Sequence, residues 1–96
     1  MNLKENEGYN LLIKAIMSLE SEEECEKFLD DLMTRKEILD AAQRMLVAKL
    51  LSKKVVYSKI AEETGASTAT ISRVNRALNY GCGGYKTILD RLDNKE

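Results

Sequence analysis

The sequence predicts an all-α fold. Leu, Ala, Glu and Lys are abundant, aromatic residues make up only 5%, and no proline interrupts any helix. Apolar residues also recur at spacings of three and four along most of the 96 residues. That length allows one compact domain, residues 1–96, with a modest core, and dimerisation would bury more surface.

Six helical segments follow in order. In "YNLLIKAIMSL", Leu11, Leu12, Ala15, Ile16 and Leu19 form one apolar stripe that needs a partner surface. Ser21 with Glu24 is a capping-box pattern: the hydroxyl and the carboxylate each take an unpaired backbone N–H at a helix start. Acidic residues in that first turn suit the positive end of the helix dipole, and Cys25, Phe28, Leu29, Leu32 and Met33 supply the inner face. Thr34 and Glu37 repeat the pattern and open the longest segment, "RKEILDAAQRMLVAKLLS". There Ile38, Leu39, Ala42, Met45, Leu46 and Leu50 make the main apolar face, widened by Ala41, Val47, Ala48 and Leu51. A helix apolar on more than one side fits the centre of a bundle or a dimer interface.

The stretch "YSKIAEETGASTATISRVNRALNYG" carries the most information. Ile60 and Ala61 fall on the inner face of a short helix that stops at Thr64, and Gly65 can take the left-handed conformation that ends it. Ala66 keeps the corner slim, Ser67 caps the next helix, and Ile71, Val74 and Leu78 point inward at helical spacing. The pattern is a helix-turn-helix over about residues 56–79. Past Leu78, Gly81 ends that helix, and Gly83 and Gly84 bend the chain into a last amphipathic segment with Tyr85, Ile88, Leu89 and Leu92. These glycines lack the preceding strand and the lysine of a phosphate-binding loop.

Charge is divided unevenly. The net charge is −1, yet residues 1–31 hold three lysines against nine acidic side chains, a net of −6. Residues 52–80 hold Lys53, Lys54, Lys59, Arg73 and Arg76 against Glu62 and Glu63, a net of +3. A polyanion is attracted to the second region and repelled by the first. On the second helix of the motif the outward residues are Ser67, Thr68, Ala69, Thr70, Ser72, Arg73 and Arg76. Short side chains at the helix start allow close approach to a DNA groove, while N-terminal amides and arginines suit phosphates. Tyr57, Ser58 and Lys59 suit the flanking backbone.

"IAEETGASTATISRVNRALNYG", with the preceding "LLSKKVVYSK", resembles the Trp repressor superfamily, most closely its YerC/YecD-type branch, over roughly residues 28–92. "TATISR" is similar to the start of that family's recognition helix, and "DAAQRMLVAKLL" to its central helix. The resemblance implies a six-helix, intertwined homodimer that binds a near-palindromic operator in double-stranded DNA, as a transcriptional regulator and more specifically a repressor. It also implies an effector site. In the family repressor the indole of L-tryptophan lies between two arginines, which correspond to Arg44 and Arg73, and Thr34 matches a further pocket residue. Two positions depart: Val74 stands where the family has glycine, and Ala77 where it has serine. Added bulk and a lost polar partner favour an unliganded or differently liganded regulator over a tryptophan sensor. Tyr57, Ser58 and Ala61 replace longer polar side chains, so the target sequence does not transfer.

Other classes are disfavoured. Without histidine, and with Cys25 and Cys82 isolated from any CxxC pattern, neither a general base nor a metal set is evident. No charged-then-apolar leader is present, and no apolar run approaches the roughly 18 residues that span a bilayer, so a cytoplasmic location is expected. The competing class is a helical protein-interaction module whose basic helix pair binds an acidic partner.

Overall fold

A computed structural model describes residues 2–94. After a single 3-10 turn, Leu3–Glu5, six α-helices follow: α1 (Glu7–Met17), α2 (Glu22–Leu32), α3 (Arg35–Ser52), α4 (Tyr57–Thr64), α5 (Thr68–Tyr80) and α6 (Gly84–Asn94). No strand occurs among the described residues, and the chain is all-α as its composition predicts. It forms two compact units, one ending at Arg35 and the other beginning at Lys36.

The N-terminal unit is set by its caps. Asn6 accepts the Tyr9 amide at 2.8 Å to start α1, and Ser21 Oγ accepts the Glu24 amide at 3.1 Å to start α2. The Glu24 carboxylate reaches back to the amide of Glu20, at 2.9 Å, one residue earlier than an ideal capping box would take it. Neither helix holds a fully buried residue. Within the predicted stripe, Leu12, Ala15 and Leu19 are half-buried whereas Leu11 and Ile16 are exposed; Met17, outside the stripe, is 81% exposed.

The core lies in the C-terminal unit. Val47, Ala48 and Leu51 of α3 pack with Ile60 of α4, Ala66 of the turn, Ile71 and Val74 of α5, and Leu89 of α6. Leu50, Val55, Ala61, Leu78 and Tyr85 close around them. The α3 residues that form this core are those the sequence assigns to the helix's secondary side. Much of its main predicted face is turned outward, with Leu39 60% exposed, Leu46 45%, and Ala42 and Met45 exposed as well, whereas Ile38 is half-buried and Leu50 packs against the core. At 100° per residue, Leu39, Ala42 and Leu46 lie roughly opposite Val47, Ala48 and Leu51. Spacing identifies both apolar sides but cannot rank them; the side with Val47, Ala48 and Leu51 is the one that joins the core, where Ala48 is fully buried.

The end of α3 holds a local strain. The Val55 amide donates to Leu50 O and the Lys54 amide to Leu51 O, the paired bonds of a Schellman C-cap. The left-handed residue of that cap is Lys54, at φ 64°, where glycine is the usual occupant. A side chain there costs about 1–2 kcal/mol. Lys54→Gly is therefore expected to raise stability by about 0.5–1 kcal/mol, the relief being partly offset by the freer unfolded chain. Urea denaturation of the two proteins measures it, and a lower midpoint for the glycine variant would refute the strain.

Candidate nucleic-acid interface

Gly65 ends α4 in the left-handed conformation, φ 73° and ψ 6°, with its amide bonded to Ala61 O. A Cβ at this position would meet nothing within 4 Å, so the requirement for glycine comes from backbone angle and not from crowding. Two further bonds fix the corner. Thr64 Oγ1 donates to Ile60 O at 2.7 Å and accepts the Ala66 amide at 3.1 Å, bracketing the glycine from both sides. Gln43 of α3 donates its Nε2 to Thr64 O at 3.1 Å, pairing a carbonyl of the last turn that the helix itself leaves open. Neither the Thr64 bracket nor the Gln43 tie is legible in the sequence, because both depend on side chains that only the folded corner brings within reach.

Ser67 then caps α5 as its position predicts: its Oγ accepts the Thr70 amide at 3.1 Å. The same hydroxyl donates to Thr70 Oγ1, also at 3.1 Å, so Thr70 belongs to the cap and is half-buried. Ala66 is buried, and Ile71 and Val74 enter the core, Val74 with only 2% exposure. Leu78 is half-buried in line with them.

With that side of α5 committed inward, Ala69, Ser72, Arg73 and Arg76 occupy the opposite arc, Thr68 stands in the helix's first turn three residues before Ile71, and all five are exposed. Tyr57, Ser58 and Lys59, in the first turn of α4, are exposed too, as is the capping Ser67. The ion pairs Lys27–Glu23 and Lys36–Asp40 lie elsewhere, and none of Lys53, Lys54, Lys59, Arg73 and Arg76 is in an ion pair. A cation without an internal partner neutralises phosphate with no ion pair to break first. The surface is small at its tip, with hydroxyls and a methyl, and cationic behind it.

The other predicted positions are more scattered in role. Arg44 is exposed on α3 and Thr34 is exposed just before that helix. Val74 is spent in the core, and Ala77 lines a different space: an apolar hollow of about 420 Å³ with Met45, Cys82, Tyr85 and Ile88. Cys25 is half-buried and Cys82 exposed, both as free thiols, and no cluster suited to a metal ion occurs among the described residues.

The helix after Arg76 ends at Gly81, whose amide bonds to Ala77 O at 2.9 Å. A Cβ there would lie 2.4 Å from that same oxygen, so glycine is needed for close approach at an ordinary negative φ.

The comparisons with known proteins fall on this architecture. A family model described as Trp repressor protein matches residues 7–93. The uncharacterized protein YerC of Bacillus subtilis (strain 168) is 53% identical over 85 residues, covering 88% of this chain and 82% of YerC. The crystal structure of a TrpR-like protein from Eubacterium eligens ATCC 27750 is 47% identical, with a TM-score of 0.91 over 97% of this chain and 96% of that one. A candidate Trp repressor from Staphylococcus aureus is 44% identical, with a TM-score of 0.88 over 97% of this chain and 95% of its own.

Gly65→Ala is expected to cost about 1–2 kcal/mol through its backbone angle alone, and Gly65→Asn less, since asparagine tolerates the left-handed region. Thermal denaturation ranks the three proteins; equal midpoints would show that the corner relaxes out of this conformation.

Proposed function

The chain belongs to the Trp repressor family, a regulatory DNA-binding family, and from that premise we propose that it is a sequence-specific transcriptional regulator acting as a repressor on a near-palindromic operator. The observation that carries the reading is the division of α5: Ile71 and Val74 are sealed in the core while Ala69, Ser72, Arg73 and Arg76 stand exposed on the opposite arc, with Thr68 exposed at the helix start. In this reading the tip of α5 enters the major groove. Thr68, Ala69 and Ser72 read base edges directly or through water, and Arg73 and Arg76 hold phosphates. Tyr57, Ser58 and Lys59 contact the flanking backbone, Ser67 presents the helix start, and Thr70 supports it from within the cap.

Two copies act together. The outward stripe of α3 and the exposed Leu11, Ile16 and Met17 of α1 are more apolar surface than a chain of this size keeps wet. A symmetric homodimer would bury it and set two reading heads about one helical turn apart, roughly 34–36 Å. No helix among the described residues is long and apolar enough to cross a membrane, and a cytoplasmic regulator is the reading that accords with DNA as the ligand. Thr34, Arg44 and Arg73 are the positions at which a small effector would act. With Val74 and Ala77 in place of glycine and serine, L-tryptophan is not the effector we favour.

Selection of duplexes from a random pool, followed by titration at several salt concentrations, tests the function. A recovered inverted repeat whose binding weakens steeply with salt is the expected result; no preference at any salt, with tight binding to an acidic protein, would favour an interaction module instead. Arg73→Ala should weaken binding to all sequences and reduce the salt slope by about 1, whereas Thr68→Ala should shift discrimination at one base pair by about 1 kcal/mol. If neither substitution alters binding, α5 is not the reading helix. Leu46→Glu should halve the mass seen by sedimentation and lower operator affinity, and an unchanged dimer would remove α3 from the interface.

A further inference from the structure

The C-terminal unit contains a cleft of about 470 Å³ that, Lys53 and Lys54 apart, the DNA-binding reading does not use. Three elements wall it: the α3–α4 turn, the second half of α5 and one face of α6. Its floor is apolar, formed by Leu51 and Leu89, both buried, with half-buried Leu78 and Val55. Its mouth is charged in both senses, with Lys53, Lys54 and Lys86 facing the same space as Asp90 and Asp93. Lys86 and Asp90 stand four residues apart on α6, the usual pairing distance, yet none of these five charges is in an ion pair.

The polar groups are equally open. Asn79 Nδ2 donates to Asn75 O at 3.0 Å and to Asn75 Oδ1 at 2.9 Å. That arrangement leaves Asn79 Oδ1 and the Asn75 amide hydrogens without a protein partner at the wall of the cleft. A simple anion would meet Asp90 and Asp93 there, and a simple cation would meet three lysines. A DNA backbone is disfavoured by the same two carboxylates. The volume lies within the range of small-molecule sites, about 300–1,000 Å³.

We propose that this cleft binds a small zwitterion with an apolar body, of the class of an aliphatic α-amino acid. Its carboxylate sits toward Lys53, Lys54 and Lys86, its ammonium toward Asp90 and Asp93, and its side chain on Leu51, Leu78 and Leu89. Neither Arg44 nor Arg73 lines the cleft, so the site is separate from the effector positions considered above and does not depend on DNA binding.

The test uses the full chain with L-leucine, L-valine and L-methionine, and with two analogues of leucine that each lack one charge: 4-methylpentanoate and 3-methylbutylamine. At about tenfold its Kd, at least one amino acid should raise Tm by about 3–10 °C, and the single-charge analogues should not. Lys86→Ala and Asp90→Asn, both at exposed positions, should each weaken that amino acid at least about tenfold. Amide chemical-shift changes on titration should cluster at residues 53–56, 75–79 and 86–93. Absence of binding by all three amino acids, equal binding of 4-methylpentanoate, or shifts centred on Arg44 and Arg73 would each overturn the proposal.

Discussion

Ile71 and Val74 are the fixed point of this molecule. Both are sealed against Val47, Ile60 and Leu89, and a helix whose inner side is held this tightly has no freedom to rotate. Each side chain on the far side of α5 therefore has a determined direction. Burial of residues this size stabilises by about 1.5–3 kcal/mol apiece, enough to hold the exposed arc of Ala69, Ser72, Arg73 and Arg76 in one orientation. The proposed reading surface is thus a consequence of packing on its opposite side.

The corner at Gly65 serves that same constraint. A short α4 must stop, turn and restart within three residues so that Ile60 and Ile71 meet in one core. The left-handed glycine supplies the turn, Thr64 ties both of its ends, Ala66 fills the inside, and Ser67 starts the next helix. Gln43 joins this corner to α3, so the long helix and the helix pair share a hydrogen bond as well as apolar contact. The turn at the end of α3 is built differently, with Lys54 accepting a conformation unfavourable to a side chain. That lysine also stands at the mouth of the proposed zwitterion cleft.

The helix α3 explains why one chain carries so much exposed apolar surface. Its Val47–Ala48–Leu51 side closes the core while Leu39, Ala42 and Leu46 face away from it. Neither α1 nor α2 has a fully buried residue, although each carries an apolar stripe. Such a protomer is poorly matched to water by itself, and the homodimer in the functional reading answers that mismatch by covering the surface with a second copy of it.

Much was decided locally and was therefore legible. Helix limits depend on caps and glycines within four residues of each end, so Ser21, Gly65, Ser67 and Gly81 marked them correctly from the sequence. The inward set of α5 followed from spacing, because a helix with a single apolar stripe has one way to face a core. Tertiary structure alone decided the rest. Spacing could not rank the two apolar sides of α3, since the choice depends on which of them meets Ile60, Ile71, Val74 and Leu89, residues distant in sequence. Nor could it foresee the Thr64 bracket, the Gln43 tie or the mixed-charge cleft, whose groups come from segments up to about forty residues apart and meet only because the core draws α3, α5 and α6 together.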